Sequence, residues 1–104
     1  MATSREYLDF VMDNLSLLDN ISYKQMMGEY IIYYRGKIAA YVCDDRLLVK
    51  VVPSSIKMFP DAKREAPYEG AKEMLLIENV EGKEFLKELF DAMYDELPMP
   101  RKKK

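Results

Sequence analysis

Three groups of residues in this sequence could do chemistry: the carboxylate pair Asp44-Asp45, the thiol of Cys43 beside it, and the phenols of Tyr23, Tyr30, Tyr33, Tyr34 and Tyr41. Paired carboxylates can hold a divalent cation or share proton-transfer work. A thiol becomes a nucleophile when a neighbour lowers its pKa. Phenols along a strand can stack on nucleic-acid bases. Each option lacks a companion. The chain has no histidine, which removes the commonest general base and metal ligand. One cysteine without histidine cannot form the usual activated pair, and a Cys/His zinc framework fails on ligand count. The four glycines build neither a phosphate-cradling loop nor a dinucleotide fingerprint. No catalytic residue, cofactor or metal ligand is therefore expected, and the chain reads as a binding module, not an enzyme.

Each group also has a plainer use. Asp44-Asp45 falls between two strand-like runs, where aspartates make turns. Cys43 at a strand end suits burial as a small apolar side chain. Tyr30 and Tyr34 alternate with Tyr33, so both faces of one strand receive rings and one face must back a helix. Core packing with the hydroxyls at the edge is the favoured reading of the tyrosines.

The elements that must position these groups follow from period. Thr3-Ser4-Arg5-Glu6 has capping-box spacing with Thr3 as cap, and Tyr7, Leu8, Val11, Met12, Leu15 and Leu18 predict an amphipathic helix over 4–18. Ile21 to Met27 and Gly28 to Tyr34 have strand composition. Arg35-Gly36 supplies a tight turn, Ile38 to Cys43 the returning strand, and Leu47 to Val52 another. Pro53 starts a short helical turn through Phe59. Pro60 to Gly70 reads as a polar loop and Met74 to Ile77 as a short strand. Leu86, Leu89, Phe90, Met93 and Leu97 form one stripe of a closing helix over 84–97, which Pro98 stops. The expected fold is α+β: a two-layer sandwich with an antiparallel sheet of four to five strands and helices at the N- and C-terminal ends packed on it.

The 104 residues suffice for one domain, expected over 1–97, followed by a disordered basic tail at 98–104. Net charge is −2, but four of the 16 basic residues lie at 101–104, which leaves 12 against 18 acidic, or −6, for the rest. That balance argues against a broad nucleic-acid face. Arg101, Lys102, Lys103 and Lys104 are the candidate nucleic-acid contacts, and four cations support weak, non-specific affinity. Met1 to Ser4 runs straight into amphipathic sequence, with no leader and no membrane-length apolar run. With one cysteine, the expectation is a reduced cytoplasmic setting without membrane contact.

Five segments carry a resemblance: 2–10 with Val11, Met26-Met27-Gly28-Glu29-Tyr30, Tyr33-Tyr34-Arg35-Gly36-Lys37, Asp44 to Lys50, and Pro67 to Lys72 with Met74-Leu75. In this order and spacing they resemble the N-terminal domain of the TfoX/Sxy competence regulators, as a stand-alone copy. The resemblance implies a compact α+β domain with an antiparallel sheet and a link to DNA uptake. It also implies the role of a transcriptional co-activator that contacts transcription machinery or an activator protein. Where that family carries a glycine pair after the hairpin turn, this chain has Ala39-Ala40.

Arg46 and Lys50 share a strand face with Leu48 by period two, which puts two cations at a sheet edge or contact surface. Together with Glu29 and Tyr30 they are the candidate partner-binding residues. A protein partner is expected, nucleic acid through the basic tail and an aromatic sheet face is the alternative, and a homodimer through open sheet edges is a third outcome.

Overall fold

The computed structural model describes residues 3–26, 28–67, 69–78 and 82–98. Helix α1 spans Arg5–Asn14, α2 Pro53–Met58 and α3 Lys83–Tyr94. The strands are β1 Ile21–Met26, β2 Glu29–Tyr34, β3 Lys37–Cys43, β4 Arg46–Val49, β5 Arg64–Glu65 and β6 Met74–Ile77. They form one antiparallel sheet in the order β1-β2-β3-β4-β6-β5. The α+β sandwich is as expected, with six strands instead of four to five. The extra strand, β5, lies inside the segment read as a polar loop. Its two polar residues carry no hydrophobic alternation, so only backbone pairing with β6 makes it a strand.

Alternation sorts the sheet into two faces. Tyr30, Ile32, Tyr34, Val42, Leu47, Val49, Leu75 and Ile77 point to the side where α1 brings Leu8, Val11 and Leu15 and α3 brings Leu86, Leu89, Phe90 and Met93. All of these are buried. A smaller cluster of Cys43, Leu48 and Met74, with Tyr41 and Leu76 against it, lies on the other face. At Ile32/Tyr33 the β2–β3 register shifts by one residue, and the bulged Ala39 joins Ala40 in facing the core. Two successive inward positions beneath a docked helix leave room for small side chains alone. That is the structural content of the Ala39-Ala40 pair: both are fully buried.

Helix α1 is shorter than its periodic stretch and its cap is displaced by one residue. Ser4, not Thr3, is the cap: its Oγ accepts from the Tyr7 N–H at 3.1 Å. Leu15 and Leu18 stay buried in the turns that follow. Likewise Leu97 is buried just past the end of α3. In α2, Pro53 occupies the first turn, and Ser55 Oγ accepts from the Val52 N–H at 3.0 Å while donating to the Lys50 carbonyl at 2.7 Å. No helix among the described residues is long and apolar enough to cross a membrane.

Candidate functional site

The sheet face away from the helices holds most of the residues singled out from the sequence, at two ends. One end is built on the β3–β4 hairpin, whose two-residue turn is Asp44-Asp45. Both residues have positive φ, 51° and 55°, the conformation such a turn demands and one that aspartate tolerates. The turn is fastened to the chain start. Asp45 Oδ1 accepts from the Ser4 N–H at 3.0 Å and from Ser4 Oγ at 3.2 Å. Thr3 Oγ1 lies 3.1 Å from Glu29 Oε1 and 3.3 Å from the Val42 carbonyl, its two available acceptors, and it receives the Asp45 N–H at 3.4 Å. Glu29 Oε1 also accepts from the Asp44 N–H at 3.3 Å. The carboxylates of Glu29 and Asp45 are therefore occupied with N–H and hydroxyl donors from the turn and the start of α1.

Arg46 supplies the cation of this end. Its guanidinium pairs with Glu65 on β5, lies 3.7 Å from Asp44 Oδ2, and donates from Nε to the Cys43 carbonyl at 3.3 Å. A side chain held by three neighbours fixes the β4 start to the β5 edge. Cys43 is fully buried, and that burial pushes its thiol pKa up against the lowering influence of Arg46. The packing reading of Cys43 is the one the structure supports.

The other end lies around Lys50, four residues along, on the order of 13 Å away at strand rise. Lys50 borders an open cavity of about 350 Å³ whose walls include Tyr41, Pro67, Lys72, Met74 and Pro98. The face thus divides into an internally paired end and a more open one, whose cavity is lined by Lys50 and Lys72 and also by Glu73. Glu29 and Arg46 share the first, and Lys50 stands apart at the second. Tyr30 is on neither: it is 7% exposed on the helix side and packs edge-to-face on Tyr23 at 5.6 Å. Its parity is opposite to that of Glu29, so the adjacent pair cannot share a surface, and the contact role expected of Tyr30 is corrected to core packing. Arg101, Lys102, Lys103 and Lys104 lie outside the described residues.

Sequence reasoning missed a second polar assembly at the β2–β3 turn. Arg35 and Gly36 have φ of 51° and 85°, and the flanking residues reach α3. Tyr34 OH donates to Asp91, which also accepts from Lys87 Nζ at 2.8 Å. Burial, then the bond to Asp91, pushes the Tyr34 phenol up to about 12. Lys87 first and Tyr34 second hold the Asp91 carboxyl below its usual value. Lys37 is buried, donates from Nζ to the Tyr94 carbonyl at 2.9 Å, and sits 4.2 Å from the Tyr94 ring centroid. Arg35 lies over the Tyr34 ring at 5.0 Å and pairs with Asp19 at 2.9 Å. The i,i+4 spacing of Lys87 and Asp91 was the available signal; the link to Tyr34 spans 57 positions.

No group of three or more Cys, Asp or Glu among the described residues is arranged to hold a metal ion.

The family model of the TfoX N-terminal domain matches residues 13–88. A protein from Spirochaeta aurantia described as an uncharacterized 12.7 kDa protein in the trpE 5' region is 30% identical over 105 residues, covering all of this chain and 91% of that one. No solved structure matches.

Proposed function

Since the chain belongs to the TfoX N-terminal domain family, we propose that it is a non-enzymatic regulatory module acting through a protein partner, in the cytoplasm and in transcriptional control of DNA uptake. The observation that carries this reading is what the reactive groups touch. Glu29, Asp45, Arg46, Tyr34 and Asp91 all bond across elements, fastening a helix or an edge strand to the sheet. A catalytic group needs a free lone pair or proton facing substrate; here those atoms face the protein's own backbone and side chains.

What remains for recognition is the more open end of the face, where Lys50 and Lys72 outnumber Glu73 around the cavity that Tyr41 also lines. Its cations suit an acidic patch on a transcription activator or polymerase-associated protein. Crosslinking in the native cell, comparing the wild type with the Lys50→Glu/Lys72→Glu double variant, tests this. One specific protein captured by the wild type and lost in the folded variant is the expected result. Capture that charge reversal leaves unchanged would overturn the assignment of this surface.

Nucleic acid is the second reading, favoured by Tyr33 and Tyr41 standing half-buried on the same face as Lys50. Gel shifts at low salt, with and without residues 101–104, separate it from the first: a shift that the Lys50→Glu/Lys72→Glu variant removes would support it, and no shift at low salt ends it.

A further inference from the structure

We infer that β1 is a dimerisation edge, pairing antiparallel with β1 of a second copy so that two sheets join into one. The two outer strands of the sheet differ sharply. At one end β5 is two residues long, and its Glu65 is ion-paired to Arg46. Shortness and charge are the usual guards of a sheet edge. At the other end β1 is six residues long, everything from Ser22 to Met26 is exposed, and Lys24 is its one charge.

The backbone says which groups face outward. Arg35 N–H donates to the Asn20 carbonyl at 3.0 Å, and the two-residue connection at the far end closes on the Met26–Glu29 pair. In an antiparallel ladder mutually bonded pairs alternate with unbonded ones. Ser22, Lys24 and Met26 therefore direct their N–H and C=O to β2, and Ile21, Tyr23 and Gln25 direct theirs to the open edge. This outward set is evenly spaced about Tyr23. A twofold axis normal to the sheet sets Tyr23 against Tyr23 of the second copy and Ile21 against its Gln25. Every outward N–H and C=O then finds a partner.

Side chains agree with that register. It places Lys24 opposite Ser22 of the second copy, whereas moving the axis by one residue to Lys24 would oppose two like charges at the closest strand spacing. The axis at Tyr23 also brings together two rings that are each 38% exposed. Arg5, with its guanidinium 5.9 Å from the Tyr23 centroid, flanks the junction. Because the axis is normal to the sheet, the helices of both copies lie on one side, and the opposite faces merge into a single continuous surface. The occupant is a second copy because this register pairs every outward backbone group of the strand with its own copy, meets ring with ring at Tyr23 and keeps the two Lys24 side chains apart.

The contact is one strand wide, at the small end of specific interfaces, so association is expected to be weak. Analytical ultracentrifugation of the full chain from about 10 µM to about 1 mM tests it. The wild type should move from monomer to dimer. Gln25→Pro removes one outward N–H and leaves the bonds to β2 intact, as proline is tolerated on the free side of an edge strand. It should stay monomeric with an unchanged circular dichroism spectrum, while Gln25→Ala, which keeps the N–H, should dimerise like the wild type. Tyr23→Lys places two cations face to face at the axis, should weaken the dimer about fivefold, and should recover in high salt. If Gln25→Pro unfolds, this variant decides. A wild type that is monomeric at the top concentration, a folded Gln25→Pro that dimerises normally, or a Tyr23→Lys variant with wild-type association would each overturn the inference.

Discussion

The β2–β3 and β3–β4 hairpins turn in the same way and dock different helices by opposite means. At Arg35-Gly36 the fastening to α3 falls mainly to the flanking pair, Tyr34, 1% exposed, and the buried Lys37, with the Arg35 guanidinium lying over the Tyr94 ring at 5.6 Å. Tyr34 meets Phe90 and Tyr94 edge-to-face at 6.3 and 5.5 Å, so aromatic burial holds the contact and one hydroxyl orients it. At Asp44-Asp45 a turn side chain, that of Asp45, is itself the fastening, through exposed hydrogen bonds from Ser4. Exposed polar contacts weigh little beside a buried ring. The α3 anchor should therefore govern global stability, and the α1 anchor should govern how the first helix starts.

The sharpest way to break this contrast is Tyr34→Ala. Emptying a fully enclosed aromatic site costs about 3–5 kcal/mol, and urea melts should show a loss of that size. Tyr34→Phe keeps the ring and should cost about 1 kcal/mol, at the low end for a bond to a charged partner because Asp91 is 39% exposed. If Phe were as damaging as Ala, the hydroxyl rather than the ring would hold α3. The same site has a pH signature of known sign. With the phenol pKa raised from 10.0 to about 12, the folded state keeps its proton longer than the unfolded chain does. The stabilising contribution is complete below pH 10.0 and is lost as pH climbs toward about 12. Asp91 has the reverse sense: its carboxyl is held below 3.8, so its contribution is present above that value and disappears on acidification beneath it. Melting temperature against pH, for the wild type and for Tyr34→Phe, checks both limbs, and the variant should lose the Tyr34 share of the alkaline one, leaving what the raised Tyr7 and Cys43 contribute.

Local pattern announced each anchor to a different degree. Residues whose partners are near in sequence were legible: the amphipathic stripes of α1 and α3, the Arg35-Gly36 and Asp44-Asp45 turns, and Pro53 at the start of α2. Residues whose partners are distant were not. Thr3 and Ser4 are both cap formers, with serine the better, and Thr3 is in addition drawn away to Glu29 and Val42, 26 and 39 positions distant. Arg46 opens β4 and Lys50 follows its end, and the Glu65 that occupies Arg46 sits on a strand with no sequence pattern at all. Glu29-Tyr30 failed through parity: neighbours on a strand cannot both belong to one surface.

The finest test separates the two tasks of Asp45, which takes positive φ and reaches Ser4. Asp45→Ala loses both the carboxylate and a side chain tolerant of φ 55°, and should cost about 2 kcal/mol. Asp45→Gly relaxes the backbone and loses only the carboxylate, so the two changes largely offset and the loss should stay within about 1 kcal/mol. Asp45→Asn keeps an acceptor and the tolerance for positive φ, and should differ from the wild type by about 0.5 kcal/mol or less. Urea midpoints rank the three, and amide exchange at the first turn of α1 localises the effect, since protection there should fall in the order Ala, Gly, Asn while α3 amides track only global stability. If Gly were as costly as Ala, the carboxylate would account for the whole effect. If Gly matched Asn, the backbone would. An intermediate value means that this turn keeps two strained aspartates, where glycine would fit more easily, because one of them starts the helix.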